Sequence, residues 1–204
     1  MFCRKITVPV LLSIVLLVQN VLAVPPGDVV LRDSLADVEF TINSGSAQVD
    51  CEVYQFTSGE NINRYLYTYQ ISNISTGVGL SFFSIGITNG ATVNDWGKDV
   101  PIGTVDPLRW TPVIDNETSL VQSMDGLFNV PIKNSKTSAL LWFVSDFQST
   151  RSGHGILFGT LAGVPQYDTA DLLSPIPEPT AISLLSLGGL LAQRMQGRKR
   201  FKKS

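Results

Sequence analysis

The chain carries a single histidine, His154, within Arg151-Ser152-Gly153-His154-Gly155. One imidazole, with Cys3 and Cys51 as the only thiols, cannot assemble the usual structural or catalytic zinc sets, which draw four ligands or three ligands and a water from such residues. A Ser-His-Asp triad could use His154, but the chain has no Gly-x-Ser-x-Gly elbow to expose a nucleophile. Between two glycines the residue reads as part of a turn. Five carboxylates, Asp95, Asp99, Asp106, Asp115 and Glu117, fall in one stretch and could in principle bind Ca²⁺ or flank a glycosidic bond. No Asp-x-Asp-x-Asp-Gly loop is present, so they read as solvated turn acids. No catalytic residue, metal site or cofactor is assigned. Trp96 and Trp110 remain as a candidate ligand surface, because amphipathic aromatics on loops can stack on the rings of an extracellular polysaccharide. Two Asn-x-Ser/Thr sequons occur, at Asn73 and Asn116.

The elements that must hold these residues are strands. Residues 38–42 alternate apolar and polar with period 2, and so do 64–73, where Tyr65, Tyr67, Tyr69 and Ile71 share one face and Leu66 breaks the pattern. Further strand runs are expected at 49–56, 79–88, 127–132, 139–147 and 155–161, with Gly, Asn, Asp, Ser or Pro between them. Leu140-Leu141-Trp142-Phe143-Val144 is apolar on both faces, as for a strand in the middle of a sheet covered on both sides. No run of ten or more residues in 24–176 carries a helical period. The expected fold is therefore all-β, a β-sandwich of immunoglobulin-like or jelly-roll type. Between residues 90 and 123 the strand signal is weak and Pro101, Pro107 and Pro112 interrupt it, so this stretch is expected as a long connection that would carry any binding face.

Both ends of the chain read as addresses. Arg4 and Lys5 precede an apolar run over 6–22, and Val21-Leu22-Ala23 supplies small residues for a signal peptidase, with cleavage after Ala23. Cys3 lies in the charged leader, far from that site, and is not placed for lipidation. At the other end Pro177-Glu178-Pro179 is followed by an uncharged segment, 180–192, and then by Arg194, Arg198, Lys199, Arg200, Lys202 and Lys203. As a helix, 13 residues at about 1.5 Å each would span about 20 Å, short of a hydrocarbon core near 30 Å. The basic tail should remain cytoplasmic, acting as a stop-transfer tail by the positive-inside bias.

This order of Pro-Glu-Pro, short hydrophobic helix and basic terminus resembles the PEP-CTERM protein-sorting signal of Gram-negative bacteria. The resemblance covers about the last thirty residues. It implies an exosortase-type membrane transpeptidase as partner, processing near Pro177, Glu178 and Pro179, transient residence in the inner membrane, and a final location in the cell envelope or outside the cell. The organisation that follows is a signal peptide over 1–23, a secreted domain over 24–174 and the sorting signal over 175–204. The strand-rich middle of the chain is similar, more loosely, to the β-sandwich domains that such exported proteins carry.

Removing both ends changes the charge. Of the 15 basic residues, 2 lie in the leader and 6 in the tail, leaving 7; of the 17 acidic residues only Glu178 is lost, leaving 16 and a net charge of −9 for residues 24–176. Such a surface repels phosphate backbones, which argues against nucleic acid as a partner. Cys51 is then the only thiol, so no internal disulfide can form and the core must supply the stability. Alternation with Val49 and Val53 places Cys51 inside. The sequence supports three readings of function: an exported non-enzymatic domain sorted to the envelope or extracellular matrix, a carbohydrate-binding module of that matrix, and a polysaccharide hydrolase.

Overall fold

The structure is a computed structural model that describes residues 25–88 and 90–176. Within them the chain is all-β, in two antiparallel sheets. The strands are β1 (Val29–Ile42), β2 (Gly45–Phe56), β3 (Tyr65–Asn73), β4 (Gly79–Gly86), β5 (Asp95–Asp99), β6 (Arg109–Ile114), β7 (Val121–Ile132), β8 (Lys136–Thr137), β9 (Leu140–Ser145), β10 (Ser149–Leu161) and β11 (Val164–Pro175). Sheet A runs β1-β2-β3-β9-β5, with β8 paired to the end of β3; sheet B runs β11-β10-β4-β7-β6. The leader, Ala23 and everything from Pro177 onward, including the two expected terminal helices, lie outside the described residues.

Alternation decides which face each side chain takes, because residues directly opposed across antiparallel strands share a face. Phe40, Val49, Cys51, Val53, Tyr67, Tyr69, Leu141 and Phe143 of sheet A meet Leu80, Phe83, Ile85, Met124, Leu157 and Leu172 of sheet B in one buried cluster. Five rings sit at its centre. Tyr67 stacks on Phe143 at 4.9 Å, and Tyr69 lies 5.8 Å from Phe83 and 6.4 Å from Trp110 across the sheets. Leu66, the exception in the β3 pattern, has a separate role. With Phe56, Trp142 and Val144 it forms a second apolar cluster that seals the outer face of sheet A. The middle strand β3 is therefore buried over most of both faces.

The stretch 90–123 is not one long connection. It holds β5 and β6, the edge strands of sheets A and B, and their place at the edge explains why the sequence hides them. Pro112 lies within β6, and a residue without an N–H is tolerated there because the strand has a neighbour on one side only. Gly97 of β5 opposes Trp142, and a Cβ at that position would collide with the indole, so glycine is what lets the ring lie across the strand. The other strand that the sequence conceals, β11, is an edge strand rich in polar residues. It returns from β10 through Ala162 and Gly163, both with positive φ (49° and 81°), the conformation of a two-residue hairpin turn.

Where β3 ends, Asn73 joins three strands. Its Nδ2 donates to the carbonyls of Val78 and Ile132, both at 2.8 Å, and its Oδ1 accepts from the Thr76 N–H at 3.2 Å. The side chain is fully buried, so the Asn73 sequon is a structural amide and is not available to a modifying enzyme in the folded state. Replacing Asn73 with Ala should remove this donor from the Ile132 carbonyl and leave the Val78 carbonyl to the Thr76 hydroxyl at 3.0 Å, lowering stability by about 2 kcal/mol, within the roughly 1–3 kcal/mol of one unsatisfied buried group. Urea unfolding of Asn73→Ala checks this; a loss under about 0.5 kcal/mol, the scale of an ordinary surface change, would refute the joining role.

Candidate functional site

The two tryptophans proposed as a ligand surface part company in the structure. Trp96 lies on the edge strand β5 and is 42% exposed. Trp110 is 6% exposed, stacks on Phe83 at 6.2 Å and donates its Nε1–H to the Trp142 carbonyl at 2.9 Å. A ring with both faces packed and its N–H engaged cannot meet a ligand, and Trp110 is withdrawn from the candidate surface. Its position in β6 opposite Gly126 explains the burial, since the absence of a side chain there leaves room for the indole.

His154 is also placed differently from the turn expected. It sits in β10, paired with Asp171 of β11, its Nδ1 lies 3.0 Å from Asp171 Oδ1, and both side chains are exposed. The flanking glycines serve packing: a Cβ at Gly153 would strike Ser174, and one at Gly155 would strike Leu172. The five carboxylates of 90–123 do not converge. Asp106 pairs with the Lys98 ammonium, Asp95 caps the N–H of Trp96, and Asp115 accepts from the Glu117 N–H at 2.8 Å and from Gln122. That Glu117 bond, aided by bonds to Thr118 and Gln122, holds the Asp115 carboxyl below its ordinary range. Asp146 is held in place likewise by Arg64 at 2.9 Å and Thr92 at 2.8 Å. Among the described residues no group of three or more His, Cys, Asp or Glu is placed to hold a metal ion.

The polar concavity that the structure does form lies on the outer face of sheet A. It has a volume of about 380 Å³ and is floored by Glu52, Asp50, Thr68 and Gln70, with Asp37 and Leu140 at its sides. A β-bulge in β1, between Leu35 and Val38, opens it. There Asp37 takes a φ of 55° and donates its N–H to Asp50 Oδ1 at 2.8 Å. Tyr54 donates its hydroxyl to Glu52 Oε2 at 2.6 Å. These carboxylates and amides can accept hydrogen bonds from a hydroxylated or cationic ligand. The alternation of Asp50 and Glu52 with Val49, Cys51 and Val53 already placed both acids outward in the sequence, but nothing there marked the bulge that gathers them.

Compared with protein-family models, with curated proteins and with solved structures, the chain matches none.

Cys51 is fully buried and free, as its alternation implied. Burial pushes its thiol well above the usual range, and burial likewise raises the hydroxyls of Tyr54, Tyr67 and Tyr69. These groups stay protonated in the folded state and ionise on unfolding, so the unfolded chain binds fewer protons and stability falls as pH rises. The loss should begin near the unfolded thiol value of about 8.5 and steepen past about 10, where unfolded tyrosines ionise. Unfolding curves from pH 7 to 11 test this. Cys51→Ala should flatten the segment between about 8.5 and 10, and stability that is flat across the whole range would contradict the burial account.

Proposed function

We propose that this chain is an exported, non-enzymatic β-sandwich protein, sorted by an exosortase-type transpeptidase to the cell envelope or extracellular polymeric matrix of a Gram-negative bacterium. The observation that carries the reading is the tripartite C-terminus: Pro177-Glu178-Pro179, an uncharged apolar segment, and six Lys or Arg among the last twelve residues. The leader ending at Ala23 supports it from the other end.

The placement of the strands agrees with two cuts. The last strand ends at Pro175, the first begins at Val29, and every buried apolar residue among those described lies between Phe40 and Leu173. The strand end next to the processing region is fastened, with Ser174 Oγ donating to the Gly86 carbonyl at 2.8 Å and the Ile176 N–H to the Gln148 carbonyl at 3.2 Å. Cleavage near Pro177 would thus take away no strand and no core side chain found among the described residues. Two antiparallel sheets that share one buried interior support the sandwich assignment. A hydrolase reading draws no support from the five carboxylates that prompted it, since three of them are committed to local turns and an ion pair.

Intact-mass analysis of the protein recovered from envelope and culture fractions of an exosortase-bearing host tests the proposal. The expected product begins at Val24 and ends near Pro177, Glu178 or Pro179. A product that keeps Phe201 to Ser204 in that host would overturn the sorting reading and leave the tail as a permanent anchor.

A further inference from the structure

The outer face of sheet B carries a row of side chains whose character the sequence does not reveal. Tyr167 of β11 opposes Phe158 of β10, Phe158 opposes Phe82 of β4, Phe82 opposes Leu127 of β7, and Leu127 opposes Arg109 of β6. Opposed residues share a face, and their neighbours Leu157 and Phe83 point into the core, so this row points away from it. Tyr167 is 69% and Leu127 39% exposed, while Phe82 and Phe158 are half-buried. The four apolar positions, on strands spaced by about 4.8 Å, make a strip roughly 14 Å long that ends at Arg109.

The row beside it is hydroxylated rather than charged. Ile156 opposes Thr169 on one side and Ser84 on the other, and Ser84 opposes Asp125, which opposes Thr111. The one carboxylate of this row, Asp125, already accepts from the hydroxyls of Ser84 at 2.6 Å and Ser123 at 2.9 Å. Over these two rows the face carries one acid and one base, although residues 24–176 hold 16 acids and 7 bases. A neutral aromatic strip on a strongly acidic domain selects among partners. A polyanion is repelled by the net charge of the domain, a second copy of this chain is repelled for the same reason, and a cationic partner would find its acids elsewhere.

We infer that this face binds a neutral polysaccharide. The rings of Tyr167, Phe158 and Phe82 offer an apolar floor to the C–H faces of the sugar rings. Asp125 with its two serines, and Thr111, offer acceptors and donors to the sugar hydroxyls. The proposal does not need exosortase processing, but the acidity it invokes is that of residues 24–176, since the whole chain with its basic tail carries a net charge of −2.

Affinity electrophoresis of the full-length chain in detergent tests it, in gels holding a neutral β-glucan, a neutral mannan or a polyuronate. Retardation is expected in at least one neutral gel and not in the polyuronate. Tyr167→Ala combined with Leu127→Ala alters only exposed side chains and should weaken that retardation about tenfold or more in apparent Kd, the effect of losing a contact that anchors binding. Trp96→Ala should leave it unchanged. The proposal is overturned if the wild type runs freely in both neutral gels, if only the polyuronate retards it, or if Trp96→Ala abolishes binding and the double variant does not. Sedimentation of the wild type closes the remaining alternative: a concentration-dependent dimer that the double variant abolishes would assign the face to a second copy.

Discussion

Two aromatic donors reach across the apolar interior from one sheet to the other, and the packing is built around them. Tyr69 of β3 donates its hydroxyl to the Leu173 carbonyl of β11 at 2.7 Å, and Trp110 of β6 donates its indole N–H to the Trp142 carbonyl of β9 at 2.9 Å. Each bond spares its donor the cost of about 1–3 kcal/mol that an unmet buried polar group carries, a cost borne by the Trp142 indole N–H, which has no partner among the described residues. Each donor therefore fixes where a strand of the opposite sheet must run. The rings that bring these donors across, with Phe83 and Phe143, set the separation of the sheets. With no disulfide available to this domain, such aromatic ties are what hold the two layers in register.

Strands with an alternating apolar face were legible in the sequence, and three of the four edge strands, β5, β6 and β11, were not. β3 announces itself through Tyr65, Tyr67, Tyr69 and Ile71, because burial of one face imposes a period of 2. β5, β6 and β11 bury less and pair on one side, so selection for apolar alternation is weak and Gly97, Pro112 and Pro165 are tolerated. Turn chemistry carried information that apolar patterning lacked. Asn43 and Ser44, with φ of 49° and 60°, and Ala162 with Gly163 are the two-residue turns that fix the outer hairpins β1-β2 and β10-β11.

The candidate surfaces were less legible for a related reason. Trp96 and Trp110 stand in similar surroundings in the sequence and both lie on edge strands; what separates them is the residue across the sheet, since Gly126 leaves room for the Trp110 ring to pack on Phe83, while Trp96 opposes Phe143 and stays 42% exposed. In the same way Phe82-Phe83 reads as a uniformly apolar pair, though pairing sends Phe83 to Tyr69 and Phe82 to the outer row. A strand that is apolar on both faces looks the same in sequence whether its second face is covered or open. Trp142, Leu66 and Val144 on sheet A are covered; Tyr167, Phe158 and Leu127 on sheet B are open.

The treatment of the sheet edges connects the fold to the proposed processing. An edge strand presents unpaired backbone groups that invite another chain. At the β1–β11 seam one of them is answered within the domain, where the Asp168 carboxylate accepts from the Thr41 N–H at 2.7 Å. β11 is thus held by β10 along its length and capped against β1 at its middle, although it is the strand from which the C-terminal segment departs. A strand so placed would be the first to peel away if it were fastened only at its end, and a cut nearby would then unravel the sheet. The pairing with β10 runs from Val164 to Pro175, and Leu172 and Leu173 are sealed in the core, so β11 is held along its length by the described residues alone. A cut after Ile176, as proposed, would leave those pairings and that packing in place.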